Sequence, residues 1–345
     1  MGIYILKRLL LIIPTLLGII TLNFFIIQAA PGGPVEQMIA KLESHNLQGE
    51  VASGGIYKNQ GLDSEMINKI NALYGFDKPL LERYFLMLKN YVFLDFGESF
   101  YKNASVLDLL VEKLPVSISL GLWSTLLIYL ISIPLGIKKA IHNGTPFDHF
   151  TSTLIIIGNA IPTFLFALIL IIFFAGGTYF SWFPLRGIIG DNFESLSLIG
   201  KIKDYFWHIT LPVIALSIGG FATLTLLSKN SFLEEIHKQY VKLAFAKGLN
   251  QNQVLYRHIF RNAMLLILSS IPQALLGILL TGSLLVEIIF SLDGLGLLGY
   301  ESIITRDYPV IFGTLYLFTL FGLIITLISD LLYVLIDPRI HFQKV

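Results

Sequence analysis

Six stretches of this sequence run for 20 residues or more without a charged side chain, and nothing else in it restricts the fold so severely. They cover Leu9–Ala30, Leu114–Ile137, Thr151–Ala175, Ile209–Ser228, Ala263–Val286 and Pro309–Ser329. A hydrocarbon core about 30 Å thick takes roughly 20 apolar residues as a helix, so each window is long enough to cross one. Lipid offers no hydrogen bonds, so the backbone must bond within its own segment, and each window is read as helix despite its Ile and Val. Pro134, Pro162, Pro212 and Pro272 are expected to kink or start their helices. Of the 345 residues, 54% are hydrophobic and 14% charged. Soluble domains carry about 25% charged residues, so composition also points to an all-α membrane protein with six transmembrane helices.

Lys7 and Arg8 before the first window, and Ala29 and Ala30 after it, outline a secretory signal. The run is longer than the roughly 7 to 15 residues of a signal core, and neither alanine has a small residue two positions earlier. The first window is therefore read as an uncleaved span. Orientation follows from Lys and Arg in the short loops, which are in excess on the cytoplasmic side. An inside N-terminus places Lys7, Arg8, Lys138, Lys139, Lys229, Lys238, Lys242, Lys247, Arg257, Arg261, Arg339 and Lys344 in the cytoplasm. Short outer loops then hold Arg186, Lys201, Lys203 and Arg306. Both termini are expected to be cytoplasmic.

Residues 31–113 form an expected extracytoplasmic segment. Its first part, about residues 36 to 62, is polar and contains "GEVASGG", which reads as an insertion. Asp63 or Ser64 can cap a short helix ending near Gly75, and Pro79 can open a second with Leu80, Leu81, Tyr84, Phe85 and Leu88 on one face. Val106, Leu107, Leu110, Val111 and Leu114 make a third stripe that enters the second span. Roughly 80 residues shared among short helices make a small core, which favours a cap on the outer ends of the spans over an independent ligand-binding domain.

Much chemistry is missing. "GLGLLG", Gly294 to Gly299, has the spelling of a dinucleotide loop but neither the strand before it nor the acid about 20 residues on, so it is read as a turn with close backbone packing. Gly200-Lys201 lacks the upstream Gly and following Ser or Thr of a phosphate loop, so no ATP site is expected in the chain itself. The seven His residues are scattered without metal-ligand spacing, and there is no Cys. No window carries Asp or Glu near its centre; Glu287 and Asp330 lie at window ends. An ion-coupled carrier, a proton pump and an aspartyl intramembrane protease lose their expected carboxylate. No Ser has a G-x-S-x-G-like context for an intramembrane hydrolase. The net charge of +1 gives no argument for a nucleic-acid partner.

The loop between the fourth and fifth windows, residues 229–262, is more informative. In "YVKLAFAKGLNQ", Val241, Ala244, Phe245 and Gly248 recur at helical spacing. Gly248 suits a left-handed position closing that helix. Asn250 can cap the next helix, with Gln253 completing a capping box and Leu249 and Val254 a hydrophobic staple. Two short helices with a specified turn make a rigid knuckle. Small Ala244, Ala246 and Gly248 would let another surface approach, and Tyr240 and Phe245 could anchor it. Periodicity leaves a second reading open, a basic loop whose apolar stripe lies on lipid.

"YVKLAFAKGLNQNQVLYRHIFRNA" resembles the EAA loop of permeases of ATP-binding-cassette importers, in the form found in the oligopeptide, dipeptide and nickel permease family. "YILKRLLLIIPTLLGIITLNFFIIQAAPGGP", "YGFDKPLLERY", "LDFGESF", "LPVSISLG", "IPTFLFALILI", "HITLPVIALS", "RDYPVIFGTLY" and "DLLYVLIDPRI" resemble the same family in order, over nearly the whole chain. The insertion after Pro34 and "IIFSLDGLGLLGYESIITRDYPVIFGT" are most similar to its peptide and microcin C permeases of the Yej type. The resemblance implies a type I importer permease fold, with residues 1–345 as a single permease domain in the bacterial inner membrane and residues 229–262 as the coupling loop.

It also implies partners: a cytoplasmic ATPase subunit that binds ATP, a second homologous permease, an external peptide-binding protein and membrane lipid. Nucleic acid is not among them, and the chain itself is expected to be neither an enzyme nor a cofactor binder. One departure stands out, because the acid that names the EAA loop is absent: six residues before Gly248 stands Lys242, and Leu243 replaces the first Ala. The resemblance assigns Tyr240, Val241, Ala244, Ala246 and Gly248 to docking, and Arg257 and Arg261 to charge contacts with the ATPase or lipid. Asn159, Thr163, Gln273 and Ser283 are expected along the translocation path. The substrate is expected to be a peptide or peptide-like compound, with a nickel or dipeptide permease as the alternative. From another class comes a membrane scaffold or receptor that docks a partner without transport.

Overall fold

The computed structural model describes residues 2–29, 78–99, 101–102, 104–177, 179–271, 274 and 284–336. Its helices are α1 (Gly2–Ala29), α2 (Leu80–Val92), α3 (Val106–Ile141), α4 (Pro146–Ala160), α5 (Thr163–Phe174), α6 (Leu198–Ile236), α7 (Gln239–Ala246), α8 (Gln251–Val254), α9 (Phe260–Ser269), α10 (Leu284–Ile289), α11 (Leu295–Thr305) and α12 (Tyr308–Ile336). A π-helical turn, Leu255–Ile259, joins α8 to α9. Among the described residues the only β pairing is one isolated bridge, Glu98 with Ser105. Contacts divide the chain into two units, Met1–Glu112 with Gly299–Phe321, and Lys113–Leu298 with Gly322–Val345.

Four described helices are long and apolar enough to cross a membrane: Leu6–Ile26, Val106–Ile141, Leu198–Ile236 and Tyr308–Leu331. The pair α4 and α5 makes a fifth if counted as one span, bent by 98° at its break. Six spans were predicted, but most of residues 272–283, inside the fifth window, lie outside the described residues. The third window is broken at Pro162, where a kink or a helix start was expected, for a local reason. Ile161 is extended, with ψ 122°, because Pro162 disfavours helical backbone before it and lacks an N–H to continue the ladder. Pro134 and Pro212, by contrast, lie inside unbroken helices.

In the first unit, Pro79 stands at the start of α2 as expected, and Tyr84 of that helix meets Thr21 of α1, hydroxyl to hydroxyl, at 2.7 Å. Its ring packs edge-on against Phe24, centroids 5.3 Å apart. Leu80, Leu81 and Phe85, which share the expected apolar face with Tyr84, are exposed, and Tyr84 and Tyr91 supply the packing side. Tyr91, Phe96 and Tyr316 form a three-ring cluster with centroids 5.0 to 5.6 Å apart. A methyl group on Gly313 would stand 2.6 Å from Val106 Cγ1 and 3.2 Å from the Phe96 ring, so these side chains pack directly on the α12 backbone there. Ser99 donates to Asp307 at 2.5 Å, and Lys102 pairs with Glu301 at 2.9 Å. The expected helix from Asp63 or Ser64 to Gly75 lies outside the described residues.

Among the described residues, two apolar clusters lie in the second unit. One gathers Leu120, Ala167, Leu170, Ile209 and Phe290 from α3, α5, α6 and the end of α10. The other gathers Ala140, Phe232, Val241, Val254, Ile259 and Ile267, so the short helices after α6 are seated on the same core as the ends of α3 and α6. At about 1.5 Å per residue, α6 is roughly 58 Å long, nearly twice a hydrocarbon core.

Candidate functional site

The knuckle between α6 and α9 is built around one carboxylate. Glu235, buried in the last turn of α6, accepts from the Lys238 ammonium and the Tyr240 hydroxyl. The Tyr240 oxygen in turn accepts from Asn262 Nδ2 at 3.3 Å. The end of α6, the start of α7 and the start of α9 thus converge on one group. Burial, and then Glu235, pushes the Tyr240 hydroxyl above its ordinary pKa, and the hydrogen bond to Glu235 raises Lys238 as well.

The turn is specified as its sequence predicts. Gly248 has φ +83°, its N–H donates to the Phe245 carbonyl at 2.9 Å, and Leu249 N–H reaches the Ala244 carbonyl at 3.3 Å. These two bonds constitute a Schellman closure, which satisfies carbonyls that would otherwise end α7 unpaired. Asn250 and Gln253 complete the capping box, at 2.9 Å and 3.0 Å. A Cβ on Gly248 would meet nothing within 4 Å, so the glycine answers the backbone angle and not a close neighbour. The π-turn that follows buries Leu255 and Ile259 and leaves Tyr256, Arg257 and His258 outside.

The structure divides the expected docking residues. Val241 and Ala244, expected to dock, are 2% and 5% exposed and face the chain's own core. The cause is length: an eight-residue helix with one apolar stripe needs that stripe to stay seated on α6 and α9. Tyr240 is half-buried and bound within the chain. The outward surface carries Lys242, Leu243, Phe245, Ala246, Lys247 and Gly248, joined by Arg257 and Arg261. Between residues 239 and 263 there is no Asp or Glu to offset those four cations.

Asn159 and Thr163 stand on either side of the α4–α5 break; Gln273 and Ser283 lie outside the described residues. Glu287 was noted only as a window-end acid, yet it is fully buried. Its Oε2 accepts from Leu297 N–H at 2.7 Å, at the start of α11, where free amides gather, and Leu295 N–H donates to Ser117 Oγ at 2.9 Å. A Cβ on Gly294 would stand 2.6 Å from the Glu287 carboxyl carbon. "GLGLLG", expected as a turn, instead opens α11: only Gly294 precedes the helix, and Gly294 and Gly296 pack on the Glu287 carboxylate, for which two glycines seven and nine residues after a lone acid were the signal.

A family model described as "Binding-protein-dependent transport system inner membrane component" matches residues 132–342, which include the whole knuckle. "Inner membrane ABC transporter permease protein YejB" of Escherichia coli O157:H7 is 56% identical over 99% of this chain and 100% of its own length. "Peptidoglycan transport system permease protein YejB" of Agrobacterium fabrum is 55% identical over 100% and 99%. "Oligopeptide transport system permease protein AppB" of Bacillus subtilis is 35% identical over 99% and 100%. Among solved structures, an inward-facing form of the MetNI methionine ABC transporter aligns with TM-score 0.53 at 16% identity, over 67% of this chain and 97% of that one. That likeness and the family match show a mostly helical type I importer permease fold. The chain belongs to the family of inner membrane components of binding-protein-dependent transport systems, and is a multi-pass permease subunit of an ABC importer.

Proposed function

We propose that this permease forms half of the import path for peptides or peptide-like compounds, and that its knuckle receives a cytoplasmic ATPase. The observation that carries the docking assignment is the outward face of α7: Phe245, 47% exposed, and Leu243 project from a helix whose own core contacts are already made. Exposed apolar anchors ringed by cations on a rigid seat suit a protein groove better than a plain connector. The peptide assignment is supported by relatives named as oligopeptide permeases that align over nearly the whole chain. A second permease would complete the path, with Asn159 and Thr163 at the bend of α4 and α5 facing it. An external binding protein would deliver substrate to the side bearing residues 31–113. Six spans with both termini in the cytoplasm remain the proposed topology, residues 229–262 the proposed coupling loop within a single permease domain, and ATP is bound by the ATPase alone.

One relative's name favours a second substrate reading, fragments of peptidoglycan. Proteoliposomes containing the full complex separate the two by uptake of a labelled oligopeptide against a labelled peptidoglycan fragment. For docking, Phe245→Asp is expected to abolish co-purification of the ATPase and ATP-driven uptake while leaving the permease folded. Undiminished association would exclude this face.

A further inference from the structure

Away from the knuckle, three charged side chains meet inside the second unit. Lys139, near the end of α3, is fully buried. Its ammonium lies 3.0 Å from Asp148 Oδ1 and donates to the Asp148 carbonyl, Thr151 Oγ1 and Ser152 Oγ at 2.7 to 2.9 Å, all in the first turns of α4. Asp148 Oδ2 accepts from Lys229 of α6 at 2.7 Å and from Gly144 N–H at 3.1 Å, in the tight turn between α3 and α4 where Gly144 has φ +76°. One carboxylate therefore bridges three helices. Just beside it, a Cβ on Gly136 would stand 2.5 Å from Ser228 Cβ and 3.0 Å from Lys229 N, so α3 and α6 are in backbone contact at the same level.

Burial of this kind contributes little net stability, since desolvating the ions offsets most of their attraction. What it supplies is a fixed geometry: slippage of α6 along α4 would separate Lys229 from Asp148 and leave charge buried without its partner. Lys229 also lies six residues, less than two turns, before Glu235, which holds α7. A continuous set of bonds therefore runs from α7 through Glu235 to α6, through Lys229 and Asp148 to α4, and along α4 to the break at Ile161 and Pro162.

We infer that Lys229 and Asp148 are positioning residues for transport: they pass displacement of the knuckle to the bent α4–α5 pair, so that ATPase movement reshapes the span that carries Asn159 and Thr163. This rests on the coupling role proposed above. The link stays closed through the cycle, with α3, α4 and α6 moving together at this end.

Lys229→Met severs the link between α6 and α4 but leaves the Lys139–Asp148 pair charge-balanced, so the permease is expected to assemble. In proteoliposomes with all partner subunits, hydrolysis per assembled complex should stay within about twofold of the parent while peptide taken up per ATP falls at least tenfold; Lys229→Arg should restore the ratio to within threefold. A merely structural role would lower hydrolysis and uptake together and leave the ratio unchanged. That result, or a Lys229→Met ratio equal to the parent's, overturns the inference. Phe245→Asp, assayed in parallel, reports separately on the coupling role: retention of ATPase binding by that variant would sink the docking reading whatever Lys229→Met does.

Discussion

Neighbouring residues of α7 have opposite fates, and substitutions should reveal it. Val241→Asp would put an unpartnered carboxyl group into the core shared with Phe232 and Ile259, at a cost of roughly 2–7 kcal/mol even if it takes up a proton, and should lower the yield of folded permease in detergent. Phe245→Asp, four positions on, should leave that yield unchanged. Gly248→Ala meets no steric obstacle but forces a Cβ into left-handed backbone, costing about 1–2 kcal/mol. Hydrogen exchange should show faster exchange at the amides of residues 248 and 249, which close α7, with α9 unaffected. Gly248, Asn250 and Gln253 were legible in the sequence because caps are local chemistry. The inward turn of Val241 and Ala244 was not, because an apolar stripe does not say which of two surfaces it meets. Glu235 was equally hidden, since its partners Tyr240 and Asn262 come from two other elements.

Among the helices, the long ones could be read directly from uncharged windows, and the misreadings occur where lengths and breaks depend on neighbours. The window that became α3 starts at Val106, eight residues before the predicted span, because the amphipathic stripe entering it continues the same helix. The α4–α5 break needed one dipeptide, Ile161-Pro162, yet Pro212 in α6 breaks nothing; the consequence of an intramembrane proline is set by tertiary packing that the sequence does not display. The seat of α7 has a testable pH response. Tyr240 and Lys238 both have folded values raised above their unfolded ones, so their contribution is fully present below the unfolded values near pH 10 and is lost only as pH rises through the folded ones. Protection of α7 amides, corrected for intrinsic exchange, should be flat from about pH 6 to 9 and fall in stronger alkali. A fall near neutrality would contradict the clasp.

At the scale of the whole molecule, membrane class and family were visible because composition and ordered segments run along the entire chain. The Lys139–Asp148–Lys229 bridge was not visible: Lys139 and Lys229 read as ordinary cytoplasmic charges, and an acid two residues after Pro146 reads as ordinary helix-start chemistry. If the knuckle receives the ATPase as proposed, the acid-free stretch from 239 to 263 would give the complex an ionic signature. Its association with the ATPase should weaken as salt is raised from about 0.05 to 0.5 M, with Lys242→Gln and Lys247→Gln flattening the dependence. Indifference of the complex to salt would argue that Phe245 and Leu243 act without the cations around them. The uninterrupted length of α6 adds a mechanical consequence. A rod of roughly 58 Å that pivots about its middle by 10° displaces each end by about 5 Å, close to one helical turn. A modest tilt driven at Glu235 would therefore be felt at Ser197, on the opposite side of the bilayer, without a hinge inside the helix and without any change in its hydrogen bonds.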